Sequence, residues 1–224
     1  MPRPSRQAVL GDGGCTVHLT IRAHNQQFLF KDSPVKQFIY DLLLSHKQSH
    51  HIQIYHYCLM DNHLHLVLFA AVTAELSKFM QKVFGALARF VNRRDKRSGR
   101  VFGERARTPV IQEGRHFLRV MRYVDLNPVR AGIVLKSHHY RWSSYRHYAY
   151  GETDELIDEA PEYEGLSKNP IYRRKQYREL VGGLVKRGER RIQEMTSWFF
   201  IGDKDWVVMM CVRRGFIRLR KPPS

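Results

Sequence analysis

Apolar and polar residues alternate through residues 15–23, putting Cys15, Val17, Leu19 and Ile21 on one face and Thr16, His18 and Thr20 on the other. A period of two predicts a half-buried strand. Ser33 before Pro34 reads as a helix cap and first helical residue. Val35, Phe38, Ile39 and Leu42 then recur at helical spacing, so a helix is expected over 34–48. A second strand, His51–Leu59, runs through the turn-prone Met60-Asp61-Asn62 into a third at 63–69, forming an antiparallel hairpin. Thr73 is a plausible cap with Glu75 in the first turn, and Leu76, Phe79, Met80, Val83, Leu87, Phe90 and Val91 form one apolar stripe down to about Arg94. A loop, Lys96–Arg105, precedes a fourth strand at 107–112 and a helix from Gly114 to near Asn127, where Pro128 disfavours helical geometry in the residue before it. The order β-α-β-β-α-β, followed by a helix, predicts an α+β fold of the ferredoxin-like, split βαβ type with an antiparallel sheet.

The pattern changes after Trp142-Ser143-Ser144-Tyr145. Residues 151–164 hold seven acidic residues and no basic one and read as a linker. Residues 172–221 carry 14 Lys and Arg against 5 Asp and Glu, with helical stretches expected around 172–185 and 189–199. The expected organisation is a domain over 8–150, the acidic linker, and a basic extension over 165–224. If the linker lets the extension move independently, truncation after about residue 150 should lower affinity for a polyanion and flatten its salt dependence.

At 224 residues, 43% of them hydrophobic, the chain buries a substantial core. Its longest apolar runs, Leu66–Val72 and Trp206–Val212, are seven residues each, far short of the roughly 20 needed to cross a bilayer. The N-terminus shows no apolar leader. Cys15, Cys58 and Cys211 form no paired spacing, so free thiols and a cytoplasmic location are expected. The formal charge of +17 points to a polyanion partner. Arg89, Arg93, Arg94, Lys96, Arg97, Arg100, Arg105 and Arg107 are clustered, with Phe90 and Phe102 interleaved, which suits backbone neutralisation and base stacking.

His63 and His65 lie two apart in a strand and so point the same way, and two imidazoles on one face can share a divalent cation. The apolar stripe of the 114–127 helix is Phe117, Val120, Met121 and Val124; Tyr123 lies off it, beside Arg119 and four residues before Asn127. His18 either borders this site or is a satisfied structural histidine; the sequence leaves both readings open.

Three ordered segments resemble the single-tyrosine HUH transposases, most closely the REP-associated tyrosine transposases of bacteria. They are Tyr57-Cys58-Leu59-Met60-Asp61-Asn62-His63-Leu64-His65-Leu66; Phe90-Val91-Asn92-Arg93-Arg94 with Val101-Phe102-Gly103-Glu104-Arg105; and Arg122-Tyr123-Val124-Asp125-Leu126-Asn127-Pro128-Val129-Arg130-Ala131-Gly132, followed by Trp142-Ser143-Ser144-Tyr145. The resemblance spans residues 8–150. It implies that Tyr123 is the nucleophile and that Asn127 joins His63 and His65 around Mg²⁺ or Mn²⁺, for which an amide oxygen is suited. It further implies cleavage and rejoining of single-stranded, hairpin-bearing DNA through a 5′-phosphotyrosine, by a monomer or homodimer. Arg119 and Arg130 join the basic cluster as DNA-binding candidates. Asp61 replaces the family's usual proline and adds an acidic group near the expected metal. Ala23 stands where glycine is common after the arginine of the first strand. The alternative is a non-catalytic DNA- or RNA-binding protein on the same scaffold.

Overall fold

The computed structural model describes residues 4–182 and 199–216. Helix α1 (Arg6–Leu10) leads into β1 (Cys15–Arg22), α2 (Ser33–Lys47), β2 (Ile52–Leu59), β3 (His63–Ala70) and α3 (Thr73–Arg94). Then come β4 (Val110–Ile111), α4 (Arg115–Asp125), α5 (Asn127–Arg130), α6 (Tyr145–Tyr150), α7 (Pro161–Glu164), α8 (Pro170–Gly182), β5 (Phe200–Ile201) and α9 (Lys204–Arg213). The strands form one sheet in the order β2-β3-β1-β4-β5. Its first four strands have the antiparallel ferredoxin-like arrangement expected from the sequence.

Alternation along the strands divides the side chains between two cores. Val17, Leu19 and Ile21 of β1 and Leu64, Leu66 and Leu68 of β3 pack with α2 and α3, through Val35, Ile39, Leu43, Phe79, Val83 and Leu87. The opposite face meets α4: Val67 and Cys58 pack with Phe117, Val120, Met121 and Val124. Register then fixes which polar residues share that second face. Thr20 lies opposite His65, Arg22 opposite His63, and His18 opposite Val67.

The structure departs from the sequence reading in four places. The fourth strand shrinks to Val110–Ile111, with an isolated bridge between Thr20 and Arg107; Pro109 has no N–H to give the ladder, although its carbonyl accepts from the His18 N–H. The 114–127 helix ends at Asp125, and Asn127 opens the short α5 with Pro128 in its first turn. The expected helix at 189–199 falls on residues outside those described, apart from Phe199. Beyond it, Phe200–Ile201 adds an unforeseen edge strand, parallel to β4.

The fourth departure concerns the acidic segment. Asp154 accepts hydrogen bonds from Tyr40 and Tyr57, each at 2.8 Å. Asp158 takes the backbone N–H of Ile54 at 2.8 Å and pairs with the buried Lys47 at 3.0 Å. Leu156 and Ala160 are fully buried. Residues 151–164 are therefore a strap bound to the core, and their carboxylates satisfy buried donors. Without those partners, burying these donors would be costly.

Candidate active site

His63, His65, Tyr123 and Asn127 line one cavity of about 650 Å³, together with His18, Thr20, Arg22, Arg105, Arg107 and Arg130. Strand β3 supplies the two histidines on a common face, and their ring centroids lie 4.8 Å apart. Asn62 orients His63: its Oδ1 lies 2.6 Å from His63 Nδ1, while its Nδ2 donates to the Gln26 carbonyl at 3.2 Å. That second bond makes Oδ1 the acceptor, so His63 carries its proton on Nδ1 and its lone pair on Nε2.

Helix α4 brings Tyr123 onto the same cavity. Its ring meets His65 edge-on at 5.8 Å and His18 at 6.0 Å. Tyr123 is only 5% exposed, so the residue that the helical stripe places off the core is in fact covered: it belongs to the second core and also meets the sheet's histidines. Arg130 holds it from the other side: the guanidinium stands 4.9 Å from the ring centroid, and Nη1 donates to the Tyr123 carbonyl at 3.1 Å. Asn127 donates Nδ2 to that carbonyl at 2.8 Å, which assigns Nδ2 as the donor and leaves Oδ1 as the amide's acceptor.

His18 is nearer than the sequence could show. Its Nε2 lies 2.9 Å from His65 Nδ1, and the two ring planes lie within 10° of parallel with centroids 5.1 Å apart, an edge-to-edge contact. Burial, reinforced by His56 and His63, lowers its pKa to about 3, so it stands as a neutral imidazole. The donor set fits a divalent cation: two imidazoles and an amide oxygen on one cavity wall suit Mg²⁺ or Mn²⁺ and also later transition metals. Among the described residues no group of three or more His, Cys, Asp or Glu is arranged to hold a metal by itself. Asn127 brings an amide to the same cavity.

Of the ten expected DNA-binding residues, Arg105, Arg107 and Arg130 line the cavity. Arg89, Arg93, Lys96, Arg100 and Arg119 are exposed and lie outside it. Arg94 is bound to Asp95 at 2.6 Å, and Arg97 donates to Gln27 at 3.2 Å and to the Arg100 carbonyl at 3.1 Å. Arg22, which sequence reasoning passed over, joins the wall because it pairs with His63. Asp61 does not line the cavity: Lys36, 2% exposed, binds its carboxylate at 2.6 Å.

A second cluster lies beneath the tyrosine helix. His56 Nε2 donates to Asp125 Oδ1 at 2.8 Å, Ser144 Oγ donates to His56 Nδ1 at 2.7 Å, and Tyr177 donates to Asp125 Oδ2. In an open site, a Ser–His–Asp set would suggest a nucleophile. Here Ser144, His56 and Asp125 are at most 1% exposed, and the cluster serves as a buried tie between β2, α4, α6 and α8.

The description "Transposase IS200 like" belongs to a family whose sequence model matches residues 13–106. The resemblance carried by the histidine strand and the basic loop is thereby shown; the matched stretch includes His63 and His65 and stops before Tyr123. Seven chains of solved structures match, one of them a REP-associated tyrosine transposase bound to a REP hairpin. It shares 14% identity with this chain, covering 66% of this chain and 87% of its own with a TM-score of 0.54. At that identity the likeness shows the fold. No curated protein sequence matches. No helix among the described residues is long and apolar enough to cross a membrane.

Proposed function

We propose that the chain is a metal-dependent DNA transposase that cleaves and rejoins single-stranded, hairpin-bearing DNA, with Tyr123 as nucleophile and His63, His65 and Asn127 as metal ligands. The match to a transposase family supports a DNA-cleaving enzyme, and the structural neighbour was solved on a REP hairpin. The observation that carries the finer reading is the cavity itself: Tyr123 stands 5.8 Å from His65, ring to ring, in a cavity also lined by Asn127 and four arginines.

The roles follow from chemistry. Tyrosine's ordinary pKa of about 10 makes it a poor nucleophile at neutral pH unless its target is activated. A bound divalent cation would polarise the scissile phosphate and stabilise the charge that develops on it. Arg130 fixes the ring and backbone of Tyr123, so the hydroxyl meets the phosphorus with its conformational freedom already restricted. Arg22, Arg105 and Arg107 neutralise the phosphates flanking the cleaved one. Attack by the Tyr123 oxygen forms a phosphotyrosine bond to the 5′ side and releases a 3′-hydroxyl. Rejoining exchanges one phosphodiester for another and needs no ATP.

The test is incubation with hairpin-bearing single-stranded DNA and Mn²⁺. A covalent protein–DNA adduct is expected, with mass spectrometry placing a nucleotide on the Tyr123 peptide. Tyr123→Phe should abolish the adduct and keep DNA binding. Cleavage that persists in Tyr123→Phe without an adduct would show a metal-activated water, and hence a nuclease. An adduct on another tyrosine would refute the assignment.

A further inference from the structure

The contact between His18 and His65 constrains where His65 carries its proton. A metal-binding imidazole is deprotonated at the ligating nitrogen, so it keeps a single ring proton on the other one. His65 Nδ1 faces His18 Nε2 at 2.9 Å, inside the hydrogen-bonding range, and one of the two must donate. If His18 donates, Nδ1 of His65 is the acceptor and its proton sits on Nε2, where it blocks a metal. If His65 donates, its lone pair lies on Nε2. His63 already holds that second state through Asn62.

We propose that His18 is the positioning residue for His65: its Nε2 accepts the Nδ1–H of His65 and fixes the tautomer and ring plane in which His65 Nε2 binds a divalent cation. The inference rests on the reading of His63 and His65 as metal ligands. Metal-binding histidines commonly donate their second ring N–H to a fixed acceptor. Here that acceptor is an imidazole from the neighbouring strand.

The register explains why His18 reaches this place. It sits opposite Val67 on β1, one diagonal step from His65. The ring planes lie within 10° of each other and the rings meet edge to edge, as an in-plane N–H···N bond requires, and both residues are at most 3% exposed. Thr20 is the other polar group at hand. Its hydroxyl is 3.4 Å from both nitrogens, longer than a well-formed bond to either, and it does not substitute for His18.

The experiment uses the full ¹⁵N-labelled chain without metal, at about pH 8 and so above the ordinary imidazole pKa. Long-range ¹⁵N–¹H correlation should show His65 protonated at Nδ1 and bare at Nε2. In His18→Ala, His65 should revert to a mixture of tautomers. Titration with Mn²⁺ alone should be about 10- to 100-fold weaker in His18→Ala, the usual effect of losing such a partner. His18→Gln, whose amide oxygen can stand near the position of Nε2, should recover most of the affinity. A wild-type His65 protonated at Nε2 would overturn the proposal. So would a His18→Ala protein with unchanged tautomer and affinity, or a His18→Gln protein as weak as His18→Ala, which would make His18 a packing residue. Wild-type protein that binds no Mn²⁺ would instead refute the metal reading of the site, whatever tautomer His65 shows.

Discussion

Arg130 and the two strand histidines line the same cavity but have different proposed roles, which substitution separates. His63→Ala or His65→Ala should abolish adduct formation while leaving hairpin affinity nearly intact if, as proposed, the imidazoles serve the metal and the arginines serve the phosphates; near-normal cleavage in the double variant with Mg²⁺ present would exclude the metal role. Arg130→Ala removes a cation over the Tyr123 ring worth about 0.5–2 kcal/mol. If that energy is spent on holding the ring, the rate of adduct formation should fall by about 2- to 30-fold. The shared face of His63 and His65 was legible in the sequence because a period of two assigns faces within a strand; the burial of Tyr123 was not, since the helical stripe placed it off the core. Arg22 and the buried His56–Asp125 pair were not legible either, and for His18 the sequence left two readings open. Their partners lie on other elements, 47 residues away for His18 and 69 for His56, and only strand register and helix docking bring them together.

Among the elements, α4 carries the most consequence, since it must hold Tyr123 against the sheet. Asp125, two residues on, is gripped by His56 and Tyr177, and its backbone carbonyl accepts from Ser137 Oγ at 2.9 Å. Burial and Asp125 push the Tyr177 phenol well up, so it remains a donor. Arg122 adds a bond to the Leu180 carbonyl at 2.9 Å, tying α4 to α8 a second time. Tyr177→Phe leaves Asp125 Oδ2 without this donor in a dry site, at a cost of about 1–3 kcal/mol. For a chain of this size that corresponds to roughly 2–12 °C in melting temperature. Asp125→Ala strands both His56 and Tyr177 and should cost more, about 3–5 kcal/mol. Thermal denaturation decides: an unchanged midpoint in Tyr177→Phe would mean that α8 is not anchored through Asp125. The positions of α2, α3 and α4 could be read from their apolar stripes. The strap could not, because its seven acidic residues look like solvent-facing charge until Tyr40, Tyr57 and Lys47 are found beneath them.

For the whole molecule, the charge and the architecture must be tested separately. Truncation after residue 150 now carries a different expectation from the one the sequence alone suggested. It removes Tyr163, Tyr177, Phe200 and Ile201, all buried, so the remaining domain should melt earlier and aggregate, and a change in DNA affinity would report that damage. Substitution at the surface is cleaner. Arg93, Arg97 and Arg100 converted together to Gln should reduce the salt-dependence slope by about 2, since each phosphate contact on a single strand contributes about 0.7. An unchanged slope would place the DNA on another face.

The edge strand β5 has a consequence for the order in which the protein is made. Val110 pairs with Phe200 and Ile111 with Ile201, so β4 waits for a partner 90 residues downstream. At about 5–20 residues per second, the ribosome releases that partner roughly 5–18 s after β4 itself. Throughout this interval the histidine hairpin, complete by Ala70, is already out, while β4 presents an open edge of only two residues. So short an edge offers little to a neighbouring nascent chain. The brevity imposed by Pro109 thus protects the half-made protein during its own synthesis.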